Sequence, residues 1–126
     1  MNSKHLADKP ACPLARHGAA GHWWYQRLTA LALVPLSVWL LILLNKTLTA
    51  PYAETVNWLT SPLNAMAVVG WVVVAFYHAA QGVQVVIEDY VSTVSLRHAA
   101  IRIINRIFLF LAVAALLALA FILIAR

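Results

Sequence analysis

Charged residues are scarce in this sequence, and their scarcity excludes a soluble globular domain. Of the 126 residues, 10% are charged and 63% are hydrophobic, whereas a soluble domain carries about 25% charged residues. Such a composition cannot cover a surface that faces water, so much of the surface must face lipid or a partner buried in lipid. The net charge is +5, but the basic residues lie in short segments between apolar runs, which is typical of membrane proteins and not of nucleic-acid binding.

Cysteine is almost absent, which excludes several kinds of cofactor site. The single residue, Cys12, forms no internal disulfide and cannot alone hold an iron–sulfur cluster or a zinc ion. The sequence lacks a CxxCH motif, so covalent c-type haem is excluded. Residues 1–21 lack the apolar core of a signal peptide. We therefore expect a bacterial inner-membrane chain without a cleaved presequence, with a mature mitochondrial chain as the alternative.

Three long uncharged runs dominate the sequence, at residues 28–44, 66–87 and 107–125. A helix needs about 20 apolar residues to cross the hydrocarbon core of a bilayer, and a helix satisfies its own backbone polar groups in lipid. The runs therefore predict an all-α integral membrane protein with three transmembrane helices. We expect the spans at about residues 26–46, 64–88 and 103–125.

We divide the chain into a polar N-terminal segment and a three-helix membrane domain, residues 1–21 and 22–126. Within the domain, Ser61 and Pro62 are typical of an N-cap followed by proline at the first helical position. Pro51 and Pro62 both lie in the first interhelical loop, where helices must stop. Pro35 lies inside the first run and predicts a bend in that helix, which membrane helices tolerate.

The basic residues predict the orientation of the chain in the membrane. Seven lysines and arginines lie on one side of the spans: Lys4, Lys9, Arg16, Arg27, Arg97, Arg102 and Arg106. The other side has two, Lys46 and Arg126. Because cytoplasmic loops carry the excess of basic residues, we expect the N-terminus in the cytoplasm and the C-terminus on the far side.

His78 is the ionisable residue that the sequence places deep inside a span. It precedes Ile87, the end of the second run, by nine residues, which is about 14 Å along a helix. An ionisable residue at this depth indicates a functional site, and imidazole is a common ligand of haem iron. Ala75 and Gly82 flank it on one helix face and leave space for a flat macrocycle. The alternative is a helix–helix contact, where small residues permit close approach and histidine forms a hydrogen bond.

The same helix ends in polar residues that include Asp89 and Tyr90. The Tyr90 phenol can donate a hydrogen bond to a quinone oxygen, and Asp89 can relay protons; the alternative is a solvated helix end with an interfacial tyrosine. Arg27 is a candidate partner for a haem propionate or for Asp89, and the alternative is an arginine that extends to the lipid headgroups. His22 precedes the first run, and we interpret it as an ordinary loop histidine.

A haem bound to His78 would lie at a subunit interface. Six-coordinate iron needs a second axial ligand at a similar depth, and this chain has no other histidine there. A second chain must then supply that ligand.

Two patterns on the first two predicted spans carry a family resemblance. The first is the QRLTA stretch at residues 26–30, which runs into Pro35. The second and more specific is H-x3-G-x6-D-Y, formed by His78, Gly82, Asp89 and Tyr90. With the three-helix layout, these patterns resemble the hydrophobic membrane anchor (D) subunit family of succinate dehydrogenase, complex II, from about residue 22 to the end of the chain.

The resemblance implies a non-catalytic anchor in a four-subunit complex. A flavoprotein subunit oxidises succinate, an iron–sulfur subunit carries the electrons, and two membrane anchors hold haem b and ubiquinone. By the same resemblance, His78 is one axial ligand of a haem shared with the second anchor, a cytochrome b-type C subunit, and Gly82 leaves room for the porphyrin. Tyr90 hydrogen-bonds ubiquinone, Asp89 lies in the proton path, and Arg27 is a candidate neighbour of the quinone or a propionate.

Two other functions stay open from the sequence. The first is the membrane cytochrome b subunit of a fumarate reductase or of another quinone-linked dehydrogenase, because a sequence does not give the direction of electron flow. The second is a small transporter or a structural membrane protein. Transporters place paired polar or charged residues near the middle of the membrane, and the presence of His78 alone at that depth disfavours this function.

Overall fold

The computed structural model describes residues 13–125, with side chains from residue 21 onward. Residues 1–12, which include Cys12, Lys4 and Lys9, lie outside the described residues, as does Arg126. The orientation that these basic residues predict therefore stays a prediction. The described chain forms four helices and no strand: α1 (Pro13–Thr49), α2 (Tyr52–Leu59), α3 (Pro62–Tyr90) and α4 (Val94–Ile124).

Three of the helices are long and apolar enough to cross a membrane. The candidate spans, with 29, 29 and 31 residues, are Gly21–Thr49, Pro62–Tyr90 and Val94–Ile124. At 1.5 Å per residue each span is about 45 Å long, so it crosses the hydrocarbon core of about 30 Å and reaches the headgroups. The all-α fold with three transmembrane helices is confirmed. The first of these helices continues through Pro35.

A short helix, α2, occupies the loop between α1 and α3, which the sequence patterns do not predict. The Pro51 carbonyl accepts a hydrogen bond from the Glu54 backbone N–H at 3.0 Å and so begins the helix. Pro51 occupies the N-cap, outside the helical turns, so its missing N–H removes no hydrogen bond of the helix. Val56 and Leu59 of α2, together with Val68 of α3, are the buried hydrophobic side chains of the described chain.

The spanning helices form an open layer with α3 in the middle. α3 packs along both α1 and α4, whereas α1 and α4 do not contact each other within the described chain. The approach of α1 to α3 is close at Gly70, where an added Cβ atom would lie 3.7 Å from the Leu36 side chain. Because the layer does not close into a bundle, most apolar side chains of the spans stay accessible.

The start of α3 agrees with the sequence prediction. Ser61 occupies the N-cap in an extended conformation, and Pro62 follows in the first turn. The Ser61 hydroxyl makes no capping hydrogen bond, but its backbone carbonyl accepts one from the Ala65 N–H at 2.9 Å. The helix start therefore depends on the fixed φ of the proline and not on a side-chain cap.

Asn64 connects three helices at one end of the layer. Its Oδ1 atom accepts a hydrogen bond from Trp39 Nε1 at 3.1 Å, and its Nδ2 atom donates one to the Trp58 carbonyl at 2.9 Å. Further along the same interface, Trp71 Nε1 donates to Ser37 Oγ at 3.1 Å. Hydrogen bonds between membrane helices contribute about 0.6 kcal/mol each on average.

Replacing Asn64 with leucine removes both of its hydrogen bonds at nearly constant volume. We expect the free energy of unfolding to fall by about 1–2 kcal/mol, because the Trp39 donor also loses its partner. Unfolding by SDS in mixed micelles, followed by circular dichroism, measures the change. Asn57→Leu is the matched control, because Asn57 is exposed on α2. Equal midpoints for the two variants would contradict the bridging role of Asn64.

Candidate functional site

His78 lies in the middle of α3 and faces α1. Its side chain is half-buried, and its Nδ1 atom is 2.9 Å from the Oγ1 atom of Thr29. The same Thr29 hydroxyl is 2.8 Å from the Tyr25 carbonyl and 3.1 Å from the Gln26 carbonyl, one turn earlier in α1. The deep histidine therefore lies at a helix–helix contact, with one of its two ring nitrogens engaged.

A groove opens between α1 and α3 one helical turn beyond His78, towards the Tyr90 end of α3, and His78 is not among the residues that line it. Its volume is about 550 Å³, and both helices line it, through His22, Trp23, Gln26, Gly82, Val85 and Glu88. Gly82 follows His78 by one turn, and a Cβ atom added to it would lie 3.6 Å from Gln26 Nε2. The absence of a side chain at Gly82 therefore gives the Gln26 amide space to lie against α3.

Two buried polar atoms from α1 lack a hydrogen-bond partner within the described chain. They are His22 Nε2 and Gln26 Oε1, and both residues line the groove. A buried polar atom without a partner costs about 1–3 kcal/mol, so an unpaired atom calls for an explanation such as a missing ligand or partner. Both atoms are buried, so a polar group from outside the chain can pair with them only when the two side chains turn towards the groove.

A third unpaired atom, Gln81 Oε1, lies on the α4 side of α3. It is beside a cavity of about 400 Å³ with a mostly apolar lining that also includes Asn105. At the same contact, the rings of Phe76 and Phe108 meet edge to face, with centroids 6.3 Å apart. Both sides of α3 thus hold a mostly apolar cavity next to a buried, unpaired glutamine oxygen, and on the α4 side the aromatic contact adds packing.

The other two residues of the H-x3-G-x6-D-Y pattern lie at the end of α3. Tyr90 is the last residue of the helix and is 85% exposed, and Asp89 is exposed beside it. Neither residue lines the groove. The structure thus brings His78 and Gly82 together on the α1 side of the helix, and it leaves Asp89 and Tyr90 accessible to a group outside the chain.

Arg27 stacks on an aromatic ring of its own helix. Its guanidinium carbon is 4.1 Å from the ring centroid of Trp23, which is a cation–π contact. Within the described chain Arg27 forms no ion pair with Asp89. The ion pair found among the described residues joins Lys46 to Glu54 at 3.2 Å. Its pairing with a haem propionate stays a prediction.

Sequence reasoning missed the α1 side of this site. The interpretation of His22 as a loop histidine is wrong, because the residue lies in α1 within the first candidate span and lines the groove. Gln26 and Thr29 follow His22 at helical steps of four and three residues, so the three share one face. That spacing is visible in the sequence, but His22 and Gln26 precede the uncharged run at residues 28–44. Hydrophobic periodicity therefore does not mark them as part of the span.

The donor set at His78 fits one kind of metal site. Within the described chain, no group of three or more His, Cys, Asp or Glu side chains is placed to hold a metal ion. Haem iron needs only axial ligands from protein, because the porphyrin supplies the four equatorial nitrogens. A single half-buried imidazole with one ring nitrogen engaged therefore fits one half of a haem site. It does not fit a structural zinc site, which takes four protein ligands.

Known proteins that resemble this chain are membrane subunits. A family model described as succinate dehydrogenase/fumarate reductase transmembrane subunit matches residues 8–123. The chain belongs to this family. The family resemblance of the two sequence patterns is thereby confirmed, and with three candidate spans the chain is a multi-pass membrane protein.

Curated relatives of this family member come from Rickettsia and are named succinate dehydrogenase hydrophobic membrane anchor subunit. The Rickettsia felis protein is 37% identical over 94 residues, which are 72% of this chain and 76% of that protein. The Rickettsia bellii protein is 42% identical over 80 residues, 61% of this chain and 62% of that protein. The Rickettsia conorii protein is 38% identical over 85 residues, 67% and 68% of the two chains. No solved structure matches.

Substitutions at Gly82 test how closely the Gln26 side chain packs against α3. Gly82→Ala places a methyl group in ordinary contact with Gln26, and it should leave the free energy of unfolding unchanged or raise it by up to about 1 kcal/mol, since alanine favours the helix. Gly82→Leu should displace the Gln26 side chain and cost about 1–3 kcal/mol. SDS unfolding measures both. A leucine variant as stable as the alanine variant would contradict the close packing of Gln26 on Gly82.

Proposed function

We propose that this chain is the hydrophobic membrane anchor (D) subunit of a succinate:ubiquinone oxidoreductase, complex II. It docks the soluble subunits at the membrane, supplies one axial ligand of a haem b shared with a second anchor, and forms part of the ubiquinone site. The family and the names of the relatives support the anchor role. The cofactor role rests on one observation, a half-buried mid-span histidine with one ring nitrogen engaged, which lies one helical turn from a groove lined by two residues with unpaired polar atoms.

The open layer of helices suits an anchor that packs against another membrane subunit. Large apolar side chains are exposed on every span, among them Leu31 at 70%, Met66 at 72% and Phe110 at 72%. In the bilayer these side chains contact lipid or the helices of the C subunit. The flavoprotein and iron–sulfur subunits carry out succinate oxidation, and this chain is non-catalytic in that step.

Residues on α1 and α3 would hold the haem. When bound, haem b supplies a one-electron carrier between the iron–sulfur subunit and the quinone pool. His78 would bind the iron through a ring nitrogen. Gly82 would leave room for the porphyrin once the Gln26 amide, which lies against it, moves aside. His22 and Gln26 line the groove. Arg27 follows Gln26 in the sequence, and its guanidinium would supply a positive charge for a propionate.

Asp89 and Tyr90 form this chain's part of the quinone site. The Tyr90 phenol donates a hydrogen bond to a quinone oxygen, and Asp89 passes on protons that reduction of the quinone consumes. Their exposure at the end of α3 supports this role, because both side chains are free to meet a ligand outside the chain. They follow His78 by eleven and twelve residues, so they lie about 17 Å from His78 along the helix axis, and the two cofactors would meet this helix at different depths.

The chain functions in a bacterial inner membrane with its N-terminus in the cytoplasm. The excess of basic residues on one side and the bacterial relatives support this location. The connection from α3 to α4 then faces the cytoplasm, and its arginines meet lipid phosphates or the soluble subunits. Tyr90 lies on the same side, where the iron–sulfur subunit docks.

The membrane subunit of a fumarate reductase is the second candidate, because the matching family model covers both enzymes. The two functions differ in the direction of electron flow, which the potentials of the partner subunits and of the quinone set. A deletion strain that fails to grow aerobically on succinate supports the first function. A strain that fails to grow anaerobically with fumarate supports the second.

An optical spectrum of the complex tests the haem assignment. The complex is isolated through a tag on this chain, and a dithionite-reduced minus oxidised spectrum is recorded. We expect a b-type α-band that His78→Leu shifts or abolishes, because the variant lacks the axial imidazole. His98→Leu is the matched control, since His98 is exposed on α4, and it should keep the band.

The proteins in the same preparation test the anchor role. Flavoprotein and iron–sulfur subunits should accompany the wild-type chain and both variants. Their presence without a haem band would mean a haem-free anchor, in which His78 only packs. The absence of both the band and the dehydrogenase subunits would overturn the anchor proposal.

Tyr90→Phe removes one hydroxyl group at constant ring volume. We expect succinate-dependent quinone reduction to fall about tenfold, which corresponds to the loss of one hydrogen bond of about 1.4 kcal/mol in the transition state. Succinate oxidation with a soluble dye acceptor should stay unchanged, because it bypasses the quinone. Tyr52→Phe is the control, because Tyr52 is similarly exposed, at 75%, on α2. Full quinone reduction by the Tyr90 variant would refute its role.

A further inference from the structure

Thr29 has more hydrogen-bonding neighbours than its single proton can serve. Its Oγ1 atom is 2.8 Å from the Tyr25 carbonyl, 3.1 Å from the Gln26 carbonyl and 2.9 Å from His78 Nδ1. A hydroxyl group has one proton to donate and two lone pairs that accept. The carbonyl oxygens only accept, whereas Nδ1 can donate or accept according to the tautomer of the ring.

The carbonyl contacts decide where the Thr29 proton goes. The nearest acceptor is the Tyr25 carbonyl, four residues earlier, and donation to it is the usual local bond of a helical threonine. If the proton went to His78 Nδ1 instead, the hydroxyl oxygen would face two carbonyl oxygens at 2.8 and 3.1 Å without a hydrogen between them. The mutual repulsion of these oxygen atoms in a lipid-embedded site disfavours that arrangement.

We infer that Thr29 is the positioning residue of the haem ligand: its hydroxyl accepts a hydrogen bond from Nδ1–H of His78 and leaves the Nε2 lone pair for the iron. The inference rests on the proposed role of His78 as an axial ligand. It assigns to α1 a function in the haem site that neither the depth of His78 nor its helix face indicates. Ligand histidines generally have the other ring nitrogen hydrogen-bonded, which fixes the tautomer and the ring orientation.

The contact also fixes the direction in which the imidazole points. Thr29 and His78 lie on neighbouring antiparallel helices whose backbones are held by the packing of α1 on α3. The hydrogen bond therefore fixes the ring relative to both helices. Without it the ring can rotate about its side-chain bonds, and the neutral imidazole can carry its proton on either nitrogen. A residue that does not touch the iron therefore orients the imidazole that binds it.

Three substitutions at Thr29 separate the hydroxyl from the volume of the side chain. Thr29→Val keeps the shape and removes the hydroxyl, Thr29→Ser keeps the hydroxyl and removes the methyl group, and Thr29→Ala removes both. Thr47→Val is the matched control, because Thr47 also donates to the carbonyl four residues earlier, at 2.9 Å from Leu43, but is exposed. All variants are made in the full chain and isolated as the complex.

Two measurements on these complexes report on the haem independently of enzyme activity. The first is the rate of haem transfer to excess apomyoglobin, and the second is the low-spin electron paramagnetic resonance signal of the oxidised haem. We expect Thr29→Val and Thr29→Ala to lose haem about tenfold faster, in the lower part of the range for a lost partner of a metal-ligating histidine, and to shift the resonance. Thr29→Ser and Thr47→Val should match the wild type.

The outcomes distinguish this inference from the function on which it rests. A haem that depends on His78 but has the same retention and resonance in Thr29→Val as in the wild type overturns the positioning role alone. A wild-type complex without haem overturns both. If Thr29→Val does not assemble, the serine and alanine variants decide: equal haem retention and equal resonance in these two refute the role of the hydroxyl, and a difference between them supports it.

Discussion

Lipid provides no hydrophobic force between apolar helices, so the layer of α1, α3 and α4 depends on close packing and on a few interhelical hydrogen bonds. Along the interface of α1 and α3 these bonds occur at three levels, Trp39 with Asn64, Ser37 with Trp71, and Thr29 with His78. Residue numbers fall along α1 as they rise along α3, which is the register of two antiparallel helices. A shift of one helix by a single residue would break all three bonds at once, so they fix one register.

That register determines which residues of α1 meet His78 and Gly82 on α3. With Thr29 opposite His78, Gln26 lies against Gly82 and the groove follows in the next turn. The structural bonds nearer Asn64 and the contact at His78 are therefore parts of one interface. The helix that carries the proposed ligand and the helix that orients it are held by the same packing, so neither can be described as scaffold alone.

The sequence was sufficient for the spans and for the position of His78, because both depend on properties of a single helix. Uncharged runs of sufficient length define the spans, and depth follows from the rise per residue. The contact of Thr29 with His78 could not be read in the same way, since it depends on the register between two helices. Sequence periodicity describes one helix face at a time and does not say which face it meets.

Two further differences have local causes. The helix α2 has eight residues, which is too short for a periodic pattern to stand out between two prolines. His22 was misinterpreted because hydrophobicity marks the lipid-facing part of a span, whereas α1 begins well before the apolar run. Polar residues at that end line the groove, so the hydrophobic pattern that predicts the rest of the helix does not include them.

The unpaired atoms in the groove connect assembly to cofactor binding in the proposed function. His22 Nε2 and Gln26 Oε1 each carry a cost of about 1–3 kcal/mol while they lack partners, and the open layer gives the chain little buried apolar surface to offset it. A hydrogen-bond donor from a second anchor can pair with Gln26 Oε1, and an acceptor such as a haem propionate can pair with His22 Nε2 when that nitrogen carries the proton. Each such contact removes the cost of the atom that it pairs. Whatever binds there then stabilises the layer that binds it, because a ligand that prefers the folded state shifts folding in its favour. The same polar atoms that weaken the isolated chain therefore favour the complete site.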